Sequence, residues 1–135
     1  MVDNLTPNER SRRMALVKSE DTKPELVVRR LVTELRLGYR LHQQWLPGRP
    51  DLVFQGRKKV IFIHGCFWHL HDGCPNARMP ESRQDYWRSK LENNKLRDTI
   101  NIKTLQDMGW KVLVIWECET KDLETLRNRI VTFIS

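Results

Sequence analysis

The chain has 135 residues, 39% of them hydrophobic, a length and balance that fit one domain with a real core. Its 24 Lys and Arg against 17 Asp and Glu leave a net charge of +7, which suits a polyanionic partner because phosphate neutralisation dominates nucleic-acid affinity. No apolar run approaches the roughly 20 residues of a membrane span, and Met1 to Pro7 lacks the basic start and apolar run of a secretory signal. Three cysteines cannot all pair, so a cytosolic protein with metal-binding thiols is expected.

Thr6-Pro-Asn-Glu9 reads as a capping box and predicts a helix to about Val17, rich in Arg10, Arg12 and Arg13. A second box, Thr22-Lys-Pro-Glu25, opens a helix with Val27, Val28, Leu31 and Leu35 on its apolar stripe and Gly38 as its stop. Tyr39 to Trp45 alternates as an edge or half-buried strand. Leu46-Pro-Gly-Arg-Pro50 is a rigid turn, and Asp51 to Gln55 and Lys59 to His64 read as an antiparallel hairpin joined at Gly56. Pro75 to Glu81 is irregular. Ser82 caps a long helix to Met108, with Leu91, Leu96, Ile100 and Leu105 inward and Gly109 at its end. Lys111 to Trp116 reads as a central strand, and Asp122 to Ile134 as a last helix burying Leu123, Leu126, Ile130 and Phe133. The order ααβββαβα predicts an α/β fold, a mixed sheet flanked by helices.

Chemistry concentrates in Phe62-Ile-His-Gly-Cys-Phe-Trp-His-Leu-His-Asp-Gly-Cys74, which holds three of four histidines and two of three cysteines. Cys66, His71, Cys74 and Cys118 are a full tetrahedral donor set for a structural Zn²⁺, with His69 an alternative fourth ligand. Asp51, at the start of one hairpin strand, and the end of the next strand at Ile63 and His64 can share an edge. A carboxylate beside a backbone carbonyl there suits Mg²⁺, with His64 and His69 to handle protons. Glu25 is accounted for by capping alone or by a catalytic role. Phe67, Trp68 and Trp87, beside Arg83, Arg88 and Lys90, are either core or wedges between base pairs, which favour mismatches because those unstack more cheaply.

Asp21-Thr-Lys-Pro-Glu25, Leu46-Pro-Gly-Arg-Pro-Asp51, Val60-Ile-Phe-Ile-His-Gly-Cys-Phe-Trp-His69 and Gly109-Trp-Lys-Val-Leu-Val-Ile-Trp-Glu-Cys118 together resemble the very-short-patch mismatch repair endonucleases (Vsr). The resemblance runs from about Arg10 to Cys118. It implies a restriction-endonuclease-like fold with a structural zinc site, an N-terminal DNA-contacting arm over 1–20 and an endonuclease domain over 21–135. The implied activity is a Mg²⁺-dependent nick in one strand, 5′ to the thymine of a T·G mismatch left by deamination of 5-methylcytosine. Asp51 and the Ile63 carbonyl would hold Mg²⁺, while His64, His69, Glu25 and Asp98 complete the active site. Cys66, His71, Cys74 and Cys118 would be the zinc ligands. Phe67, Trp68 and Trp87 would enter from the major groove, Met14 would meet the minor groove, and Lys90 and Asn94 would reach flanking bases. A monomer in the bacterial cytoplasm, at the nucleoid when acting and followed by mismatch-repair proteins, is implied. Two departures stand out: Ile63 where a family member has threonine, and a His71–Cys74 spacing one residue longer. The alternatives are a restriction-type nuclease, or a zinc-stapled module that binds distorted DNA without cutting it.

Overall fold

The computed structural model describes residues 22–77 and 81–135. The chain runs α1 (Lys23–Glu34), β1 (Arg40–Leu41), β2 (Leu52–Phe54), β3 (Lys59–His64), α2 (Gln84–Asp107), β4 (Lys111–Trp116) and α3 (Leu123–Ile134), with short 3-10 turns at Gln55–Arg57, Pro75–Ala77 and Glu117–Lys121. The helix expected from Thr6, the arm over 1–20 and Met14 lie outside the described residues.

The strands form one mixed sheet in the order β1-β2-β3-β4. The expected hairpin is present, with Leu52 opposite Ile61 and Val53 opposite Val60. β3 and β4 pair in parallel, from Lys59 opposite Lys111 to His64 opposite Trp116. A parallel pair needs a long crossover, and the stretch containing α2 supplies it.

Every residue of β3 is buried because each face of the sheet carries a core. Ile61 and Ile63 join Leu52, Phe54 and Ile115 under α1 and α3, through Val28, Val32, Leu126 and Ile130. Val60 and Phe62 point the other way, with Val53 and Trp110, onto Leu105 of α2. Alternation along the strand thus feeds two layers of helix. Each such aliphatic side chain contributes roughly 1.5–3 kcal/mol on burial, so the β3 sequence is the seam that joins the layers. The sheet with helices on both faces bears out the expected α/β class.

Several local expectations are corrected. The helix α1 begins as read, with Thr22 Oγ1 accepting from the Glu25 N–H at 3.4 Å. It ends, however, at a left-handed Arg36 (φ 58°) rather than at Gly38. The N–H groups of Arg36 and Leu37 return to the carbonyls of Thr33 (2.9 Å) and Val32 (3.3 Å). This is a Schellman closure, and its apolar residue, Leu37, packs on the core; that contact sets the stop. Gly109 (φ 92°) behaves as read, with its own N–H and that of Trp110 closing α2 at 3.0 Å each.

The N-cap of α2 is a left-handed Arg83, not Ser82, and the Arg83 guanidinium lies 4.8 Å from the Tyr86 ring in the first turn. Leu96 and Ile100 are exposed, at 59% and 55%, while Leu91 and Leu105 are fully buried. The inward stripe of α2 therefore runs 91, 94, 98, 102, 105, with polar Asn94 and Asp98 between Leu91 and the Ile102–Leu105 end. Leu123 is likewise exposed, while Leu126 and Ile130 are buried as expected, Phe133 packs partly buried on the core, and Ile134 joins them. Among the described residues β4 is an edge strand rather than a central one; it is apolar because helices cover both its faces. The strand expected from Tyr39 to Trp45 shrinks to Arg40–Leu41, ended by a left-handed His42 (φ 45°).

Candidate active site and metal centre

A cleft of about 970 Å³ opens where the C-terminal end of β3 meets the start of α1, the entry to β2 and the middle of α2. Glu25 comes from the first turn of α1, Asp51 from the residue before β2, and Asp98 from the polar gap in the α2 stripe. Among the described residues, two groups of potential metal ligands line this cleft, and a third joins the loop after β3 to the turn after β4.

The first group is Glu25, His42 and Asp51. Asp51 Oδ2 accepts from the Ile63 N–H at 2.6 Å, which ties the β2 entry to the end of β3. His42 Nε2 lies 3.2 Å from Glu25 Oε2 and 3.7 Å from Asp51 Oδ1. Arg29 Nη2, one turn further along α1, donates to the same Glu25 oxygen at 3.0 Å. Thus Glu25, beyond its place in the capping sequence, turns its carboxylate to partners in the cleft. Burial lifts the Asp51 carboxyl from 3.8 to about 7; the Ile63 hydrogen bond opposes this, and the charge of Glu25 adds to it. A buried carboxylate beside a second one is stabilised most by a cation, and the oxygen donors here fit a hard divalent ion.

The second group is His64, His69 and Asp98. The two imidazoles stack with centroids 3.9 Å apart and planes within 4°. Asp98 Oδ2 is hydrogen-bonded to His69 Nδ1, so the carboxylate orients that ring. Burial, and then the charge of His69, push His64 from 6.5 to about 4, against the pull of Asp98. His64 is therefore neutral at pH 7.

The third group is Cys66, His71, Cys74 and Cys118, whose donor atoms all lie within 4.8 Å of one another. His71 belongs to the thiols and His69 to the cleft, which separates the two histidines that the spacing left as alternatives. His71 Nδ1 is 3.5 Å from Cys118 Sγ. Burial pushes the Cys66 thiol from 9.0 to about 12, and its side-chain hydrogen bonds with Cys118 and Cys74 act the same way. Burial also raises Cys118. Three sulfurs so close together are favoured as thiolates only around a cation, and four convergent soft donors fit a closed tetrahedral site.

Phe67, Trp68 and Trp87 form one aromatic cluster, with centroids 5.0, 5.6 and 6.0 Å apart. All three are half-buried. Lys90 Nζ lies 6.0 Å from the Trp87 ring. Asn94 Nδ2 donates to the Trp68 carbonyl at 3.3 Å, so in this structure it holds the aromatic loop.

Sequence reasoning missed three residues. His42 was passed over because its role depends on β1 lying against β2, although a histidine at the end of a short alternating stretch was the available signal. Tyr86 joins the cluster at 5.3 Å from Trp87; its adjacency to that residue was the clue. Trp116, read from the sequence only as the end of a strand, stacks on His71 at 4.0 Å and meets His64 in a T-shaped contact at 5.2 Å. It is the partition between the cleft and the cysteine cluster.

The family described as DNA mismatch endonuclease Vsr matches residues 2–75. The chain is 45% identical over 130 residues to the Type II nicking enzyme V.XorIIP of Xanthomonas oryzae pv. oryzae, covering 96% of this chain and 95% of the relative. It is 39% identical over 132 residues to the DNA mismatch endonuclease Vsr of Escherichia coli K12, covering 98% and 84% respectively. It is 39% identical over 130 residues to the Type II nicking enzyme V.NmeAIP of Neisseria meningitidis serogroup A, covering 96% and 92%.

Proposed function

The chain belongs to the Vsr family of DNA mismatch endonucleases, and we propose that it is a Mg²⁺-dependent hydrolase that nicks one strand of duplex DNA 5′ to the thymine of a T·G mismatch. Such mismatches arise by deamination of 5-methylcytosine. The observation that carries this reading is that carboxylates, a stacked histidine pair and two rings of the aromatic cluster, Phe67 and Trp68, converge on one cleft. The mixed sheet with helices on both faces supports a restriction-endonuclease-like fold.

Asp51 and the Ile63 carbonyl would hold the magnesium ion, with Glu25 beside them. When bound, that ion supplies charge compensation for the phosphate and a more acidic water. The water oxygen forms a bond to phosphorus as the bond to the ester oxygen on the 5′ side breaks. One proton leaves the water and one arrives at the departing oxygen. His64, kept neutral by burial, and His69, oriented through Nδ1 by Asp98, carry those protons. Because His69 uses Nδ1 for Asp98, its Nε2 is the nitrogen left for the reacting atoms.

Phe67, Trp68 and Trp87 are the wedge that enters the stack from the major groove, at a cost of roughly a few kcal/mol that a mismatched pair reduces. Lys90 and Asn94 meet the flanking bases, and Met14, on an arm over 1–20, meets the minor groove. The endonuclease domain occupies 21–135. Zn²⁺ held by Cys66, His71, Cys74 and Cys118 is structural, since a full ligand set leaves no open position. The enzyme works as a monomer in the cytoplasm, at the nucleoid, and hands the nick to mismatch-repair proteins.

The test is a panel of labelled duplexes, matched, T·G and other mismatches in varied sequence contexts, with and without Mg²⁺. Preferred single-strand nicking of T·G only with Mg²⁺ is expected. Double-strand cleavage of matched DNA would indicate a restriction-type nuclease, and mismatch binding without any cutting would indicate a binding module.

A further inference from the structure

We propose that Glu25, His42 and Asp51 form a mixed carboxylate–imidazole cation site in which His42 Nε2 is a direct ligand, so that it takes Mn²⁺ more tightly than Mg²⁺. This deepens the reading above and rests on it for the place of the divalent ion at Asp51.

Three separate stretches of chain bring these groups together. Glu25 lies in the first turn of α1, His42 just beyond β1, and Asp51 just before β2. The His42 N–H donates to the Asp51 carbonyl at 3.3 Å, which extends the β1–β2 ladder by one step and makes the two residues cross-strand neighbours. At that step His42 turns into the left-handed region (φ 45°), sparsely used by non-glycine residues. Its ring ends 3.2 Å from one carboxylate and 3.7 Å from the other. One donor atom from each residue lies within 4.8 Å of the others, the spacing of ligands around one ion.

The surroundings are those of a ligand set. The side chains of Glu25, His42 and Asp51 are only 5%, 11% and 16% exposed. Both carboxylates are oriented by outer partners, Glu25 by Arg29 and Asp51 by the Ile63 N–H, as ligating carboxylates ordinarily are. The chemistry then distinguishes the ions. Mg²⁺ prefers oxygen and parts reluctantly with water, whereas an imidazole nitrogen suits the first-row transition ions. A site of carboxylates alone would have little reason to prefer Mn²⁺; adding His42 creates the preference. If the imidazole served only as a hydrogen-bonding spacer between carboxylates, removing its nitrogen would leave the ratio of the two affinities unchanged.

The experiment uses the full-length protein with its cysteine cluster already loaded with zinc. MnCl₂ is titrated while free Mn²⁺ is followed by electron paramagnetic resonance, and MgCl₂ is then added as competitor. Wild type is expected to bind Mn²⁺ at this site and release it only to a large excess of Mg²⁺. His42→Gln keeps an amide able to hydrogen-bond Glu25, and is expected to weaken Mn²⁺ about tenfold or more with much less effect on Mg²⁺. Equal losses for both ions, or none, overturn the proposal. Pulsed resonance reads the bound nitrogen directly: coupling present in wild type and in His64→Gln and His69→Gln but lost in His42→Gln supports the site, and its absence from wild type, or its persistence in His42→Gln, overturns it. Neither readout needs DNA. Nicking of T·G duplex without nitrogen coupling would overturn the site and leave the functional reading intact. Nitrogen coupling without T·G nicking would support the site and overturn that reading.

Discussion

Asp51 and His64 are pushed in opposite directions by the same physical cause. Burial raises the Asp51 carboxyl from 3.8 to about 7 and lowers His64 from 6.5 to about 4. Between about pH 4 and 6.5 the folded protein keeps a proton on Asp51 that the unfolded chain has released. Over the same window the unfolded chain holds a proton on His64 that the folded protein lacks. Asp51 therefore makes stability fall as pH rises through its window, and His64 makes it rise. Each slope approaches roughly 1.4 kcal/mol per pH unit, so together they nearly cancel. Urea unfolding of zinc-loaded protein without Mg²⁺, at several pH values in this window, separates them. Relative to wild type, Asp51→Asn should tilt the profile toward greater stability at high pH, and His64→Gln toward greater stability at low pH. A tilt of the same sign in both variants would refute the assignment.

β3 does different work at its two ends. Its last residues line the cleft, while its first, buried Lys59, anchors a helix. Lys59 Nζ donates to the carbonyls of Phe133, Ile134 and Ser135 at 2.7, 3.0 and 3.2 Å. The ammonium thus satisfies carbonyls at the end of α3 and complements the negative end of its dipole. Lys59→Met keeps the apolar stem and removes these bonds, and should cost about 2–3 kcal/mol in urea unfolding. Nicking at saturating DNA should be unchanged, because Lys59 sits at the far end of the strand from His64. A loss below about 0.5 kcal/mol would mean that water replaces the ammonium without penalty. The helix α2 shows the limit of reading an element from its own periodicity. Leu91 and Leu105 were correctly taken as inward, but Leu96 and Ile100 were not. The positions that complete the inward stripe are Ile102, packed on the core, and Asn94 and Asp98, polar because they face the cleft.

Across the molecule, the cysteine group ties together segments far apart in the chain. Cys66, His71 and Cys74 lie in the loop after β3, and Cys118 in the turn after β4. β3 and β4 are already paired, so a bound cation locks their ends and the aromatic loop carried between Cys66 and His71. Cys118→Ser should lose one equivalent of zinc and melt at lower temperature, since ion binding and folding are coupled. Metal analysis with thermal melts checks this, and an unchanged melting temperature after metal loss would refute it. Trp116 adds a second tie, packing between His71 of this group and His64 of the cleft.

Local chemistry was readable along the chain. The unbroken apolar run Val60 to Ile63 marks a strand buried on both faces, Thr22 a helix start, Gly109 a helix end, and the cysteine and histidine types a donor set. These depend on neighbours a few residues away. Most candidate residues were also legible, partly through the family resemblance of the His64 to His69 stretch. The place of β4 at the sheet edge, the outward turn of Leu96 and Ile100, and the division of His69 from His71 were decided by tertiary packing. So was the meeting of His42 with Glu25 and Asp51. Register between strands and the seating of α2 bring together residues whose separation in sequence carries no periodic signal. A side chain's chemistry is written in its own residue, but its partners are set by which surfaces the cores bury.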